Sequence, residues 1–157
     1  MASGKNATAM LGAEMAGLGL NGPALVVGGH SPIRLLADTW KRTFAEAGMA
    51  YAVHPFGGEC SLAEIERIKQ AARENQSQVI VGAGGGKVLD AARAAAADLG
   101  LPVVNCPTVA SSDAPCSALS VIYSEAGVVE VLRPYRKNPD LVLVDTQIIA
   151  LSPPRLL

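Results

Sequence analysis

The stretch "VIVGAGGGKVLDAARAAAADLG", Val79 to Gly100, sets an apolar run against an alanine-rich helical pattern, with Gly82, Gly84, Gly85 and Gly86 between them. A strand covered on both faces reads as continuous Val and Ile, so this strand, turn and helix is the repeating unit of a parallel α/β sheet. The strand signal recurs on either side. Leu25 to Gly28 ("LVVG"), Tyr51 to Val53, Val103 to Asn105 and Leu141 to Val144 ("LVLV") are short apolar runs ending at turn residues. Helical patterns space them. Ser31 can cap one helix with Pro32 at its first position, and that helix stops at Gly48. Ser61 can cap the next, with Glu64 completing a capping box before Ile65 and Ile68. The alternation predicts right-handed crossovers and a Rossmann-like, doubly wound, mainly parallel α/β sheet. One segment breaks the pattern: Ala118 to Leu132, "ALSVIYSEAGVVEVL", has two β-rich runs around "SEAG" and predicts a β-hairpin excursion near the site.

At 157 residues the chain has the length of one domain, and residues 1–157 are read as one. Half of the residues are hydrophobic but only 4% are aromatic, a bias suited to helices packed closely on a parallel sheet. A net charge of −1 gives no broad field for nucleic acid or an anionic membrane, so neither partner is expected. No signal peptide or apolar run of about 20 residues is visible. The three cysteines, Cys60, Cys106 and Cys116, have no C-x-x-C spacing, which points to a reducing, cytoplasmic setting and unreactive thiols.

The glycines after Val81 are expected to take positive φ angles and bare their amide hydrogens where the following helix points its positive end, which makes an anion site. "GAGGGK" is neither the dinucleotide G-x-G-x-x-G nor a P-loop, and by pattern alone a glycine turn permitting tight helix and sheet packing remains open. In that reading Lys87 is solvated and Asp90 is a carboxylate near a helix N-terminus. The following loop, "CPTVASSDAPCSALSVIY", surrounds Asp113 with small hydroxylated residues. It reads either as a binding loop or as a turn in which Asp113 bonds its own backbone.

"GAGGGKVLDAARAAA", "PTVASSDAPCSALSVIY", "NPDLVLVDTQII" and "PPRLL", with "FGGECSLAEIERI" upstream, resemble in order the N-terminal half of glycerol dehydrogenases of the iron-containing alcohol dehydrogenase family. The resemblance runs from about Ala24 to Leu157, and residues 1–20 match poorly. It implies NAD-dependent oxidation of glycerol or a related vicinal diol by hydride transfer. The dinucleotide then lies on this Rossmann-like domain, and zinc or another divalent metal is held mainly by a helical C-terminal domain absent from this chain. A homo-oligomer is also implied.

Carried over by position, Gly85, Gly86, Lys87, Val88, Leu89 and Asp90 match the pyrophosphate and ribose segment. Thr108, Ser111, Ser117, Leu119 and Tyr123 match residues lining the nicotinamide end, and Asp113 matches the carboxylate that meets the substrate hydroxyls. The residue types suit these roles, with amides and a cation for phosphate, hydroxyls for carboxamide and ribose, and an acceptor for a polyol. After the first strand, Gly29 stands where the family commonly has an acidic residue on the adenine ribose, which implies weak discrimination between NAD and NADP.

The family's metal ligands, an aspartate and two histidines, lie beyond the segment resembling "PPRLL". His30 and His54 lack the spacing of a metal pair and are expected in surface or turn roles. The chain therefore reads as the inactive-alone half of an enzyme. Two other readings stay open: a non-catalytic dinucleotide-binding module, and a sugar-phosphate relative of the same fold. The latter fits less well because "SSDAPCSALSVIY" has no cation for a phosphate.

Overall fold

A computed structural model describes residues 1–156. The strands are β1 (Ala2–Gly4), β2 (Ala24–Gly28), β3 (Tyr51–Pro55), β4 (Val79–Gly84), β5 (Val103–Pro107), β6 (Leu119–Tyr123), β7 (Val129–Pro134) and β8 (Leu141–Asp145). The helices are α1 (Leu11–Gly17), α2 (His30–Glu46), α3 (Leu62–Glu74), α4 (Gly86–Leu99) and α5 (Thr146–Ala150). Six strands form one parallel sheet in the order β1-β8-β5-β4-β2-β3. The antiparallel pair β6-β7 stands apart as the expected hairpin.

Alternate residues along the strands feed two cores. Val26, Val81, Val104 and Leu143 face Trp40 and Phe44 of α2 and Leu11 and Met15 of α1. Leu25, Val27 and Ile80 face Ile65 and Ile68 of α3 and the alanines of α4. With helices on both faces the central strands β2, β4 and β5 are buried throughout, which is why they read as apolar runs. The helix α4 is buried from Val88 to Ala96 between the sheet, α3 and β6, and its small side chains permit that approach.

Several local expectations need correction. None of Gly82, Gly84, Gly85 and Gly86 has a positive φ. Gly82 and Gly84 belong to β4, where an added Cβ would lie 3.0 Å from Ala92 Cβ and 2.7 Å from Val88 Cγ2 respectively. These two serve the close packing of helix on sheet. Ser31 does not cap α2: Gly29 is the N-cap, with no side-chain bond, and Pro32 sits in the first turn. Proline loses no intrahelical bond anywhere in that turn, so it marks the turn and not its first residue. Ser61 does cap α3, accepting from the Glu64 amide at 3.1 Å. The Glu64 side chain does not close a capping box; buried, it meets His54 Nε2 at 2.7 Å and Arg67 Nη2 at 2.9 Å. His54 is thus a partnered, largely covered residue rather than a surface one.

The N-terminal segment holds elements that the sequence did not announce. β1 pairs with β8, and Asp145 accepts from the amides of Asn6 and Thr8 at 3.1 and 3.0 Å and from Thr8 Oγ1 at 2.8 Å. The same carboxylate caps α5 through Gln147. A strand of three residues has no periodicity to read; its partners, distant in sequence, define it.

Candidate functional site

The order of strands reverses at β2. Its crossover α2 leads to β3 on one side, and α3 returns the chain to β4 on the other. In a doubly wound sheet the crevice beyond the strand ends at such a point is where ligands bind. The last residues of β2 and β4 bring Gly29 and Gly85 there, and Gly29 N donates to Ala83 O at 3.1 Å.

Gly85 is the N-cap of α4 with no side-chain cap, and the first turn of α4 contains no acidic residue. The amides of that turn and the helix dipole therefore face the crevice uncompensated, which favours an anion. An added Cβ would meet nothing nearer than 3.5 Å at Gly85 (Val109 Cγ2) or at Gly86 (Ser112 Oγ). Packing within the chain does not require glycine at these two positions, in contrast to Gly82 and Gly84.

Beside this turn opens a cleft of about 300 Å³. Of the residues singled out in the sequence, Gly86, Lys87, Asp90, Ser111, Asp113, Ser117, Leu119 and Tyr123 line it; Ser112, Ala114 and Val121 also do. Thr108 and Gly85 do not line it; Gly85 directly precedes Gly86, and Thr108 N donates to Gly84 O at 3.1 Å. Val88 and Leu89 have buried side chains in the packing of α4, and Leu89 N already donates to Gly85 O at 3.1 Å, so of the two only the Val88 amide can serve a ligand. A cavity of about 420 Å³ lies elsewhere, between α2, α5 and the N-terminal segment. Its carboxylate, Asp145, is already occupied by the donors named above, and the cavity holds no glycine turn.

The Asp113 loop is closed by its own backbone, since the amides of Cys116 and Ser117 donate to Asp113 O at 3.0 and 3.2 Å. The carboxylate is not needed for that turn. It is exposed, lines the cleft, and among the described residues forms no hydrogen bond or ion pair. The loop is pinned from below: Asn105 Nδ2 donates to Pro115 O at 2.9 Å, and Arg93 Nη2 donates to Ala114 O.

Asp90 is 7% exposed, Arg93 3% exposed, and the two are paired at 2.9 Å. Burial pushes the Asp90 carboxyl above its ordinary range, against the opposing pull of the Val121 amide and of Arg93. Asp90 Oδ2 accepts from Val121 N at 3.0 Å, Ser120 Oγ donates to Asp90 O at 2.8 Å, and Arg93 Nη1 donates to Leu119 O. Asp90 thus acts structurally, fastening the hairpin to α4. Cys60 and Cys106 are buried, and burial pushes both thiols up to about 12, so neither is a nucleophile.

The family model for iron-containing alcohol dehydrogenases matches residues 1–146. The chain belongs to that family. The match begins at residue 1, so it includes the opening segment that fits the motifs poorly, whose β1 pairs with β8. A glycerol dehydrogenase from Escherichia coli is 47% identical over 133 residues, 85% of this chain and 36% of that protein. A glycolaldehyde reductase from Halobacterium salinarum is 42% identical over 98% of this chain and 42% of that protein. The crystal structure of a probable glycerol dehydrogenase from Sinorhizobium meliloti superposes with a TM-score of 0.88 at 37% identity, covering 99% of this chain and 41% of that one. The chain therefore spans about two fifths of the length of these relatives.

Three residues of this family domain escaped the motif reading. Arg93 carries a faint signal, as a lone charge inside an alanine run three residues after Asp90. Asn105 is the lone polar side chain at the centre of β5, and it is fully buried. Glu59, in "FGGEC", is brought to Lys87 by the fold: the carboxylate lies 2.9 Å from Lys87 Nζ, which in turn sits 4.9 Å from the centre of the Tyr123 ring. Among the described residues no group of His, Cys, Asp or Glu side chains is arranged to hold a metal ion, and no helix is long and apolar enough to cross a membrane.

Proposed function

We propose that this chain is the dinucleotide-binding half of an NAD-dependent polyol dehydrogenase acting on glycerol or a related vicinal diol. The observation that carries the reading is the pair Gly85 and Gly86, which internal packing leaves free to bear a Cβ and which open an uncapped helix N-terminus onto the cleft. A pyrophosphate approaching that closely would be displaced by side chains there. Lys87 supplies a cation beside it. Thr108, Ser111, Ser117, Leu119 and Tyr123 then bound the nicotinamide end, while Gly85, Gly86, Lys87 and the Val88 amide face the pyrophosphate, and Leu89 and Asp90 support that segment from within the fold.

The nicotinamide supplies the hydride acceptor when bound. The residues of this chain orient it and the alcohol. Asp113 is the acceptor for diol hydroxyls in this reading, supported by its being exposed and unpaired among the described residues. Among the described residues none are arranged to hold a metal, and in this reading the zinc or other divalent ion that the family resemblance implies would be held by the family's C-terminal domain. The similarity to a glycolaldehyde reductase fits the same cleft working in the opposite direction, on a small hydroxyaldehyde. A sugar-phosphate substrate fits less well, since among the described residues lining the cleft Lys87 is the one cation and Arg93 is buried and engaged. A cytoplasmic, homo-oligomeric enzyme completes the proposal.

The test has two parts. NADH binding by the 157-residue chain is measured by calorimetry, and glycerol-dependent NADH formation is measured on the full-length protein with a divalent metal. Weak binding by the chain, no turnover by it, and turnover by the full-length protein are expected. Absence of NADH binding by both proteins defeats the reading.

A further inference from the structure

We infer that Glu59 is a positioning residue of the cleft, an internal counter-anion that holds Lys87 and weakens the hold of the site on a phosphate-bearing ligand. The inference rests on the proposed dinucleotide reading and adds a determinant of affinity to it. Its basis is the meeting of three separate segments at Lys87. Glu59 Oε2 lies 2.9 Å from Lys87 Nζ, and Glu59 Oε1 accepts from Cys60 N at 3.2 Å. Tyr123 N donates to Cys60 O at 2.8 Å, so the loop carrying Glu59 is tied to the same strand whose Tyr123 ring lies 4.9 Å from Lys87 Nζ. Lys87 is therefore held twice, by a carboxylate and by a ring face.

The first turn of α4 carries no acid of its own, and Glu59 is the carboxylate paired to the cation at that turn. The pair is partly open to solvent, Lys87 at 48% and Glu59 at 22% exposure, so its charges remain accessible to an arriving anion. Asp90 and Asp113 line the same cleft, and the nearby guanidinium of Arg93 is committed to Asp90 and to backbone carbonyls. A pyrophosphate at the amides of Gly86 and Lys87 must share Lys87 with Glu59 and lie near a second negative charge. Removing that charge while keeping the side-chain shape favours the anion on both counts. The Tyr123 ring keeps Lys87 from swinging away once Glu59 is neutral.

The full-length protein provides the test, with NADH affinity measured by fluorescence titration at low and high salt for wild type, Glu59→Gln, Lys87→Met and the double variant. Glu59→Gln is expected to tighten NADH roughly threefold to fivefold at low salt, the range for a partly exposed pair, with the gain shrinking at high salt. The gain must be smaller in the Lys87→Met background, where only the direct repulsion by Glu59 is left to relieve, a dependence on Lys87 that a merely structural role of Glu59 would not produce. Unchanged or weaker binding by Glu59→Gln, or an equal gain without Lys87, overturns the inference while leaving the dinucleotide reading intact. No NADH binding by wild type defeats both.

Discussion

Arg93 Nη1 lies 2.9 Å from Asp90 Oδ1 inside α4, and this buried pair holds both walls of the cleft. From it Asp90 reaches the Val121 amide of the hairpin, and Arg93 reaches the Ala114 carbonyl beside Asp113. Removing the guanidinium leaves a buried carboxylate without its charge partner, which costs about 3–5 kcal/mol. Arg93→Met is expected to lose stability of that order in urea unfolding. Asp90→Asn retains an oxygen for the Val121 amide and should lose less than Arg93→Met.

The glycine turn divides into two functions that substitution separates. Gly84→Ala drives a methyl against the short, branched Val88 at 2.7 Å and should destabilise by about 1–3 kcal/mol through overpacking. Gly86→Ala meets only ordinary contacts and gains helix propensity, so its stability should hold or rise. Its NADH affinity should nevertheless fall at least tenfold. Thermal unfolding and fluorescence titration of both variants check the contrast.

Asp113 is expected to govern activity and not folding, because the loop turn is closed by its carbonyl and not its carboxylate. In the full-length protein Asp113→Asn should unfold at the wild-type temperature and bind NADH as before. Catalytic efficiency with glycerol should fall at least a hundredfold. An unchanged efficiency would remove Asp113 from the substrate site.

Gly29 has φ −67°, a conformation open to any residue, and an added Cβ would lie 3.5 Å from Pro32 Cδ. The backbone thus admits the acid that this position lacks. Wild type should prefer NAD over NADP by less than a hundredfold, and Gly29→Asp should widen the preference by repelling the 2′-phosphate. Parallel titrations with both cofactors decide it.

Asp98 links α3 and the hairpin, meeting Lys69 at 3.3 Å and also Arg133. Burial pushes its carboxyl up, but the bonds from Arg133 and Lys69 together outweigh burial and hold it below its ordinary 3.8. A depressed carboxyl stabilises the fold fully above its unfolded pKa, and that stabilisation is lost as pH falls through the folded value. Asp98→Asn should therefore be less stable than wild type near neutrality by about 1 kcal/mol or less, since the network is partly exposed. The difference should vanish in acid below the usual carboxylate range, as denaturant curves across pH would show.

The layered α/β fold is legible in the chain alone, because strands buried on both faces write unbroken apolar runs and the helices between them follow their own period. That the glycine turn and the Asp113 loop belong together is legible too, through motifs long enough to be specific. The misassignments followed from the same locality: local pattern does not say whether a glycine is required by its φ or by a neighbour, and Gly82 and Gly84 proved to be packing residues. The three-residue β1, the bonds by which Asp90 and Arg93 reach the hairpin and the Asp113 loop, the Asn105 tie to Pro115 and the Glu59–Lys87 pair emerge only once the chain is folded. Each depends on a partner from another turn, element or loop, and a hydrogen bond or ion pair across such a separation leaves no period in the chain that forms it.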